Sequence, residues 1–246
     1  KKLLKIRKRN EYFVSPSFST ISAFGANASV PHYRVSRKTN VKFSKDSLYL
    51  VDSGGQYFDG TTDITRTIAL GKPTNEQKDR FTRVLKGHIA LSTFIFSRKT
   101  KGSDLDYLAR KFLKKINCDY DHGTGHGIGS FLSVHEGPQR ISKLPRKYDC
   151  FLKNGMILSN EPGYYKKNEY GIRIENLIIV NKLKNNKLKF ETISWAPLDK
   201  EMILLEMLTK AEIRWINSYH KKVYNKINKH LNLKEKNWLK NITKPI

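Results

Sequence analysis

The sequence predicts an α+β fold, with helices packed beside a largely antiparallel sheet. Three observations carry that expectation. Helix-start signals occur as capping boxes at Thr74-Asn75-Glu76-Gln77 and Thr209-Lys210-Ala211-Glu212, with a related signal at Ser103-Asp104-Leu105-Asp106. Short apolar and β-branched runs are cut by glycine and proline, as strands between tight turns require. No internal repeat recurs at a fixed short period, so a solenoid is excluded.

Taken in order, residues 1–13 read as the tail of a helix, with Leu3, Leu4 and Ile6 on one apolar stripe. Residues 15–32 are rich in Ser, Gly, Asn and Pro and read as loop and short strand. Leu48-Tyr49-Leu50-Val51 is a buried-strand run stopped by Ser53-Gly54-Gly55, and the β-branched stretch 61–70 ends at Gly71-Lys72-Pro73. The first capping box opens a helix expected to reach about Phe96, and the Ser103 signal opens one to about Ile116. Residues 121–138 carry too many glycines for one regular element. Strands are expected at 155–160, 171–181 and 187–194. The last box opens a helix whose Ile213, Ile216, Tyr219, Val223 and Ile227 fall at helical spacing, a stripe for a core or a dimer contact.

The chain has 246 residues, 38% hydrophobic and 11% aromatic, enough for one domain of ordinary size and short for two. Charged residues of both signs make up 28%, which excludes a long disordered tract as the main content. No apolar run approaches the roughly 20 residues that span a bilayer. The start, Lys1-Lys2-Leu3-Leu4-Lys5, lacks an apolar signal region. Cys118 and Cys150 form no CxxC pair and fit a reducing compartment, so a cytoplasmic location is expected. The formal net charge is +25, with +9 in residues 1–50, +9 in residues 181–246 and only +7 in the 130 residues between. Lysines at the C-terminal end alternate with asparagines, a compositional habit of the chain. A solvated basic surface explains this better than a nucleic-acid interface, and no nucleic-acid or membrane partner is expected.

The centre concentrates groups that are costly to bury alone. Asp52 ends a strand before Gly54-Gly55. Asp63 lies in Gly60-Thr61-Thr62-Asp63-Ile64-Thr65-Arg66-Thr67, and His126 in His122-Gly123-Thr124-Gly125-His126-Gly127-Ile128-Gly129. Glu161 precedes Pro162-Gly163, and Glu175 lies in Gly171-Ile172-Arg173-Ile174-Glu175-Asn176. An ionised carboxylate among apolar strand residues needs a partner. Four acids and one imidazole brought together need cations, and two divalent metals supply four positive charges. Taken singly, each residue has an ordinary structural reading. Asp52 suits a turn, and Glu175 suits an ion pair with Arg173 two residues away.

These strings, together with His135-Glu136-Gly137-Pro138, resemble aminopeptidase P, a branch of the pita-bread metallopeptidases that also include methionine aminopeptidase and prolidase. The resemblance runs from about Tyr12 to the C-terminus. It includes a tail after Trp195-Ala196-Pro197-Leu198-Asp199, similar to that of the long eukaryotic-type enzymes. It implies a pita-bread (creatinase/aminopeptidase-like) fold, a curved, mostly antiparallel sheet flanked by helices. A catalytic domain is expected over 1–194 and a small helical extension over 195–246. Family members carry further helices ahead of the segment matching residues 1–13, so the chain is expected to be part of a longer protein.

The resemblance further implies that Asp52 chelates one metal, that His126 and Glu161 hold the other, and that Asp63 and Glu175 bridge the two. Glu161 would shuttle a proton. His32 and His135 would bind substrate and stabilise the tetrahedral intermediate, and His122 would line the pocket for the residue on the amino side. Arg173 would orient neighbouring carboxylates. The implied cofactor is two divalent ions, Mn²⁺ by preference with Zn²⁺ or Co²⁺ as alternatives. Four hard oxygen donors and one imidazole suit that choice in their own right. The implied reaction removes an N-terminal residue when proline stands second, and the implied assembly is a homodimer. Three other readings use the same sequence: a prolidase acting on Xaa-Pro dipeptides, a metal-free scaffold of the same fold that binds protein or nucleic acid, and a basic nucleic-acid module. His88, His220 and His230 fall in expected helices and are read as structural.

Overall fold

The computed structural model describes residues 2–143 and 149–246. Among the described residues, five α-helices, α1 (Lys2–Arg7), α2 (Asn75–Ser92), α3 (Asp106–Lys114), α4 (Lys210–Ile227) and α5 (Leu233–Ile242), surround sheets in which every paired strand is antiparallel. One sheet joins Ile21–Phe24, Asp46–Asp52 and Thr65–Gly71. A second joins Ile157–Asn160, Asn176–Lys182, Lys187–Thr192 and Ile95–Ser97. The hairpin Gly163–Lys166/Tyr170–Arg173 lies between them in sequence.

Register brings the acids to one place. Asp52 pairs with Thr65, so Asp63 lies just past the same sheet end. Asn160 pairs with Asn176, so Glu161 and Glu175 flank that pair. The Glu175 N–H donates to the Thr65 carbonyl at 3.2 Å and stitches the two sheets together where the acids meet. Glycine allows one further close approach. A Cβ on Gly125 would sit 2.0 Å from the Ser159 carbonyl, so only glycine lets the strand carrying His126 lie against the strand leading to Glu161.

Both capping boxes form as expected. The Thr74 hydroxyl accepts from the Gln77 N–H at 3.2 Å while Gln77 Oε1 accepts from the Thr74 N–H at 2.9 Å, and Thr209 and Glu212 do the same for α4. Helix α2 stops at Ser92 rather than near Phe96, because Ile95 and Phe96 pair with Lys189 and Leu188 as an edge strand. The apolar residues that extend the helical pattern are claimed by the sheet. Nor does Ser103 cap a helix; its hydroxyl donates to Asp149 at 2.6 Å, and α3 begins at Asp106 after a 3₁₀ turn. The segment expected as one strand over 171–181 is two, broken at Ile174-Glu175 where the chain passes from the hairpin to the second sheet. Helix α5, capped by Asn232 and Glu235, was not anticipated.

The main core packs α2 (Phe81, Val84, Leu85, Ile89) against Ile172 and Ile174 on one side and against Ile216, Tyr219 and Val223 of α4 on the other. Of the α4 stripe, Ile216, Tyr219 and Val223 are buried, and Ile213 and Ile227 are half-buried. A second core fills the space between Leu91, Leu105 and Leu108 and the second sheet. Among the described residues no helix is long and apolar enough to cross a membrane.

Candidate active site

A cleft of about 960 Å³ opens at the junction of the two sheets. Its walls include Asp52, Asp63, His126 and Glu161, with His32, His122, His135 and Arg173 around them. Glu175 lies beneath, 1% exposed. Ligand atoms of Asp63, His126 and Glu175 all fall within 4.8 Å of one another. His126 Nε2 lies 3.6 Å from Asp63 Oδ2 and 3.3 Å from Glu161 Oε1. The nine residues singled out from the sequence thus converge on one site, eight on the cleft wall and Glu175 at its floor.

The electrostatics are those of a site built for cations. Burial, reinforced by Asp52 and Glu161, holds the Asp63 carboxyl well above the ordinary carboxylate range. Burial and then Asp63 do the same to Glu175. Burial pushes Glu161 up to about 7, against the pull of the Arg173 guanidinium. Among the described residues, Asp52 Oδ1, Asp63 Oδ1 and Glu175 Oε1 are buried without a hydrogen-bond partner. Buried carboxylate oxygens left unmatched in one place are what a metal-ligand set looks like, and an oxygen-rich set with one imidazole fits hard divalent ions. The residues present therefore fit two such ions.

Supporting contacts fix the orientation of each group. The Ser159 hydroxyl accepts from the His126 N–H at 2.9 Å and donates to Glu161 Oε1 at 2.9 Å. Thr65 donates from its hydroxyl to Glu175 Oε2 at 2.6 Å. Arg173 donates to Asp52 Oδ2 at 2.7 Å, to the Tyr165 hydroxyl at 2.7 Å and to Thr65 Oγ1 at 3.2 Å. The Glu175–Arg173 ion pair considered from the sequence is absent among the described residues; Arg173 serves Asp52 instead. His122 sits between the Gly123 carbonyl and the Tyr165 hydroxyl, each at 2.8 Å, and burial lowers its pKa to about 3. Its Nδ1–H therefore donates to the carbonyl while Nε2 accepts from Tyr165. His135 packs edge-on to His126 at 4.1 Å between ring centroids, and His32 is exposed at the rim. His88 and His220 are fully buried in helices, His88 donating to the Asn160 carbonyl and His220 accepting from the Leu198 N–H. His230 is exposed in a 3₁₀ turn.

Sequence reasoning missed Tyr165, Ser159 and Thr65. Strand alternation places Gly163 and Tyr165 on one face, but only the pairing of Tyr165 with Gly171 brings that face to Arg173.

Antiparallel sheets flanked by helices, with acids converging at their strand ends, are the pita-bread architecture. The chain belongs to metallopeptidase family M24: residues 1–182 match that family, and residues 186–246 match the C-terminal region of its peptidases. It is 48% identical over its whole length to Xaa-Pro aminopeptidase 1 of Dictyostelium discoideum and 44% identical to aminopeptidase P1 of Arabidopsis thaliana. It covers 40% and 39% of those proteins, about two-fifths of their length. The crystal structure of the Caenorhabditis elegans X-prolyl aminopeptidase, described as a cytosolic enzyme with a di-nuclear active site, superposes with a TM-score of 0.94 at 38% identity. That match covers 98% of this chain and 41% of the other. Prolidase from Pyrococcus furiosus gives 0.64 at 28% identity, covering 80% of this chain and 57% of the other.

Proposed function

We propose that this chain carries the active site of a metal-dependent exopeptidase that hydrolyses the N-terminal Xaa-Pro bond of peptides. The observation that carries the reading is the meeting of Asp63, His126 and Glu175 within 4.8 Å at the floor of a cleft. It is supported by whole-chain likeness to proteins named as Xaa-Pro aminopeptidases. Asp52, Asp63, His126, Glu161 and Glu175 would hold two divalent ions, Mn²⁺ by preference. When bound, these supply Lewis acidity toward a peptide carbonyl and toward water.

The chain's own groups do the rest. Glu161 takes the proton of the attacking water and returns it to the leaving proline nitrogen, a task suited to a carboxyl buried beside Arg173. His135 and His32 flank the reacting carbonyl and hydrogen-bond the developing oxyanion. His122, with both ring nitrogens engaged, forms a fixed wall for the first residue. Proline brings no N–H and a fixed φ, so the site needs no backbone acceptor there. Residues 1–194 would form the catalytic unit and 195–246 its extension, in a cytoplasmic homodimer.

The test is hydrolysis of an Xaa-Pro-Pro tripeptide by the intact protein, with and without Mn²⁺, beside an Asp63→Asn variant and an Xaa-Pro dipeptide. The expected result is metal-dependent release of the first residue, reduced at least a hundredfold in the variant. Cleavage of the dipeptide alone would make the protein a prolidase. A protein that takes up no metal and turns over neither peptide would overturn the enzymatic reading.

A further inference from the structure

Arg66 is 8% exposed, yet all its guanidinium nitrogens are engaged. Nη1 donates to the Thr65 carbonyl at 2.7 Å and to the Glu175 carbonyl at 2.5 Å. Nε donates to the Pro197 carbonyl at 2.9 Å. Nη2 donates to the Ala196 carbonyl at 2.9 Å, the Tyr219 hydroxyl at 2.7 Å and Asn176 Oδ1 at 3.2 Å. The acceptors are neutral, so the fork is held by number and direction rather than by an ion pair. Half of them belong to the C-terminal region, residues 186–246, and the rest to the backbone and side chain around Glu175.

Tyr219 is the matching piece on α4. Its ring stacks on Trp215 at 5.2 Å and on Trp195 at 5.6 Å between centroids, which fixes where the hydroxyl points. That hydroxyl accepts from Arg66 and from Asn176 Nδ2 at 3.1 Å and donates to the Ala196 carbonyl at 2.9 Å. Asn176 Nδ2 also reaches the Ser194 carbonyl at 2.6 Å. The residue between these contacts and the cleft is Glu175. Its N–H is held by Thr65, its carbonyl by Arg66 and its Oε2 by the Thr65 hydroxyl, which among the described residues leaves buried Oε1 as its one unmatched oxygen.

We propose that Arg66 and Tyr219 are positioning residues that make the C-terminal region part of the metal-site support: α4 holds Arg66, and Arg66 holds the backbone of Glu175 so that Oε1 faces the cleft. The proposal rests on the metal reading above. A carboxylate that would hold a divalent ion tolerates little displacement, and outer contacts of this kind typically change metal affinity 10- to 100-fold when lost.

The experiment is Mn²⁺ titration by calorimetry on the intact wild-type protein and on Tyr219→Phe, which keeps the ring and its stacking and removes only the hydroxyl. Val223→Ala is the control. It truncates a fully buried residue one turn further along the same helix, so it lowers stability without touching Arg66. Manganese paramagnetic-resonance spectra of each loaded protein report whether the two ions remain coupled. The expected result is that Tyr219→Phe weakens Mn²⁺ binding about tenfold or more and alters the coupled spectrum, while Val223→Ala lowers the melting temperature and leaves both unchanged. Arg66→Lys, whose single ammonium cannot serve the same set of acceptors, should move affinity the same way and further. Unchanged Mn²⁺ affinity in Tyr219→Phe, or equal weakening in Val223→Ala, would overturn the proposal and leave the metal reading intact. A wild-type protein that binds no Mn²⁺ would overturn both, and would be seen as such before any variant is compared.

Discussion

The Ser159 hydroxyl stands between two candidate ligands, accepting from the backbone of His126 and donating to the carboxylate of Glu161. Replacing it by alanine removes both contacts and leaves the volume almost unchanged. Ser159→Ala should therefore lower Mn²⁺ affinity or turnover 10- to 100-fold, with little change in melting temperature, as read by calorimetry and tripeptide hydrolysis. An unaffected variant would show that Glu161 is held by its surroundings alone. At this scale the acids stood out in the sequence as carboxylates set in apolar strand runs, whereas the histidines were picked out by the resemblance of the strings around them to the family. Thr65, Ser159 and Tyr165 were not legible. A threonine or a serine in a strand is unremarkable until its partner is known, and Thr65 and Glu175 are 110 residues apart.

Helix ends show how local signals and tertiary packing divide the work. The capping boxes at Thr74 and Thr209 were readable because each satisfies its own N–H groups within four residues. Thr74→Ala should cost about 1 kcal/mol. That corresponds to a fall of roughly 2–4 °C in the melting temperature of a chain this size, measurable by calorimetry or circular dichroism. A larger fall would mean that the cap also positions the chain ahead of α2. The C-terminal end of α2 was misjudged, since Ile95 and Phe96 continue the apolar pattern but leave the helix to join the second sheet. An apolar residue fits either environment, and the edge of a distant sheet decides. The break at Ile174-Glu175 has the same character, for nothing in the isoleucine-rich order of residues 171–181 marks where the chain changes sheets.

Two buried histidines couple the whole molecule to pH. Burial holds His220 at about 4 and His88 at about 3, against an ordinary value near 6.5. Both are neutral in the folded protein, and both gain a proton on unfolding whenever the pH lies below their ordinary value. The stabilisation is fully present above pH 6.5 and is lost as the pH falls toward 4, at roughly 1 kcal/mol per pH unit for each histidine. Melting temperatures of the wild type and of His220→Gln should therefore converge as the pH falls from 6.5 to 4. Parallel profiles would show that His220 is not held neutral. The buried carboxyls of the cleft act in the opposite sense, so the difference between the two profiles is the informative quantity.

Local chemistry, written in short strings, made the acids, the glycine-flanked histidines, the helix starts and the family plain from residue order alone. Tertiary structure decided which atoms meet. Register at Asp52–Thr65 and Asn160–Asn176 carries four acids to one end of two sheets. A single arginine, Arg66, then ties helix α4 to Glu175. Neither follows from spacing along the chain, because a hydrogen bond depends on distance and angle, and those are set only when the sheets and α4 close on a common core.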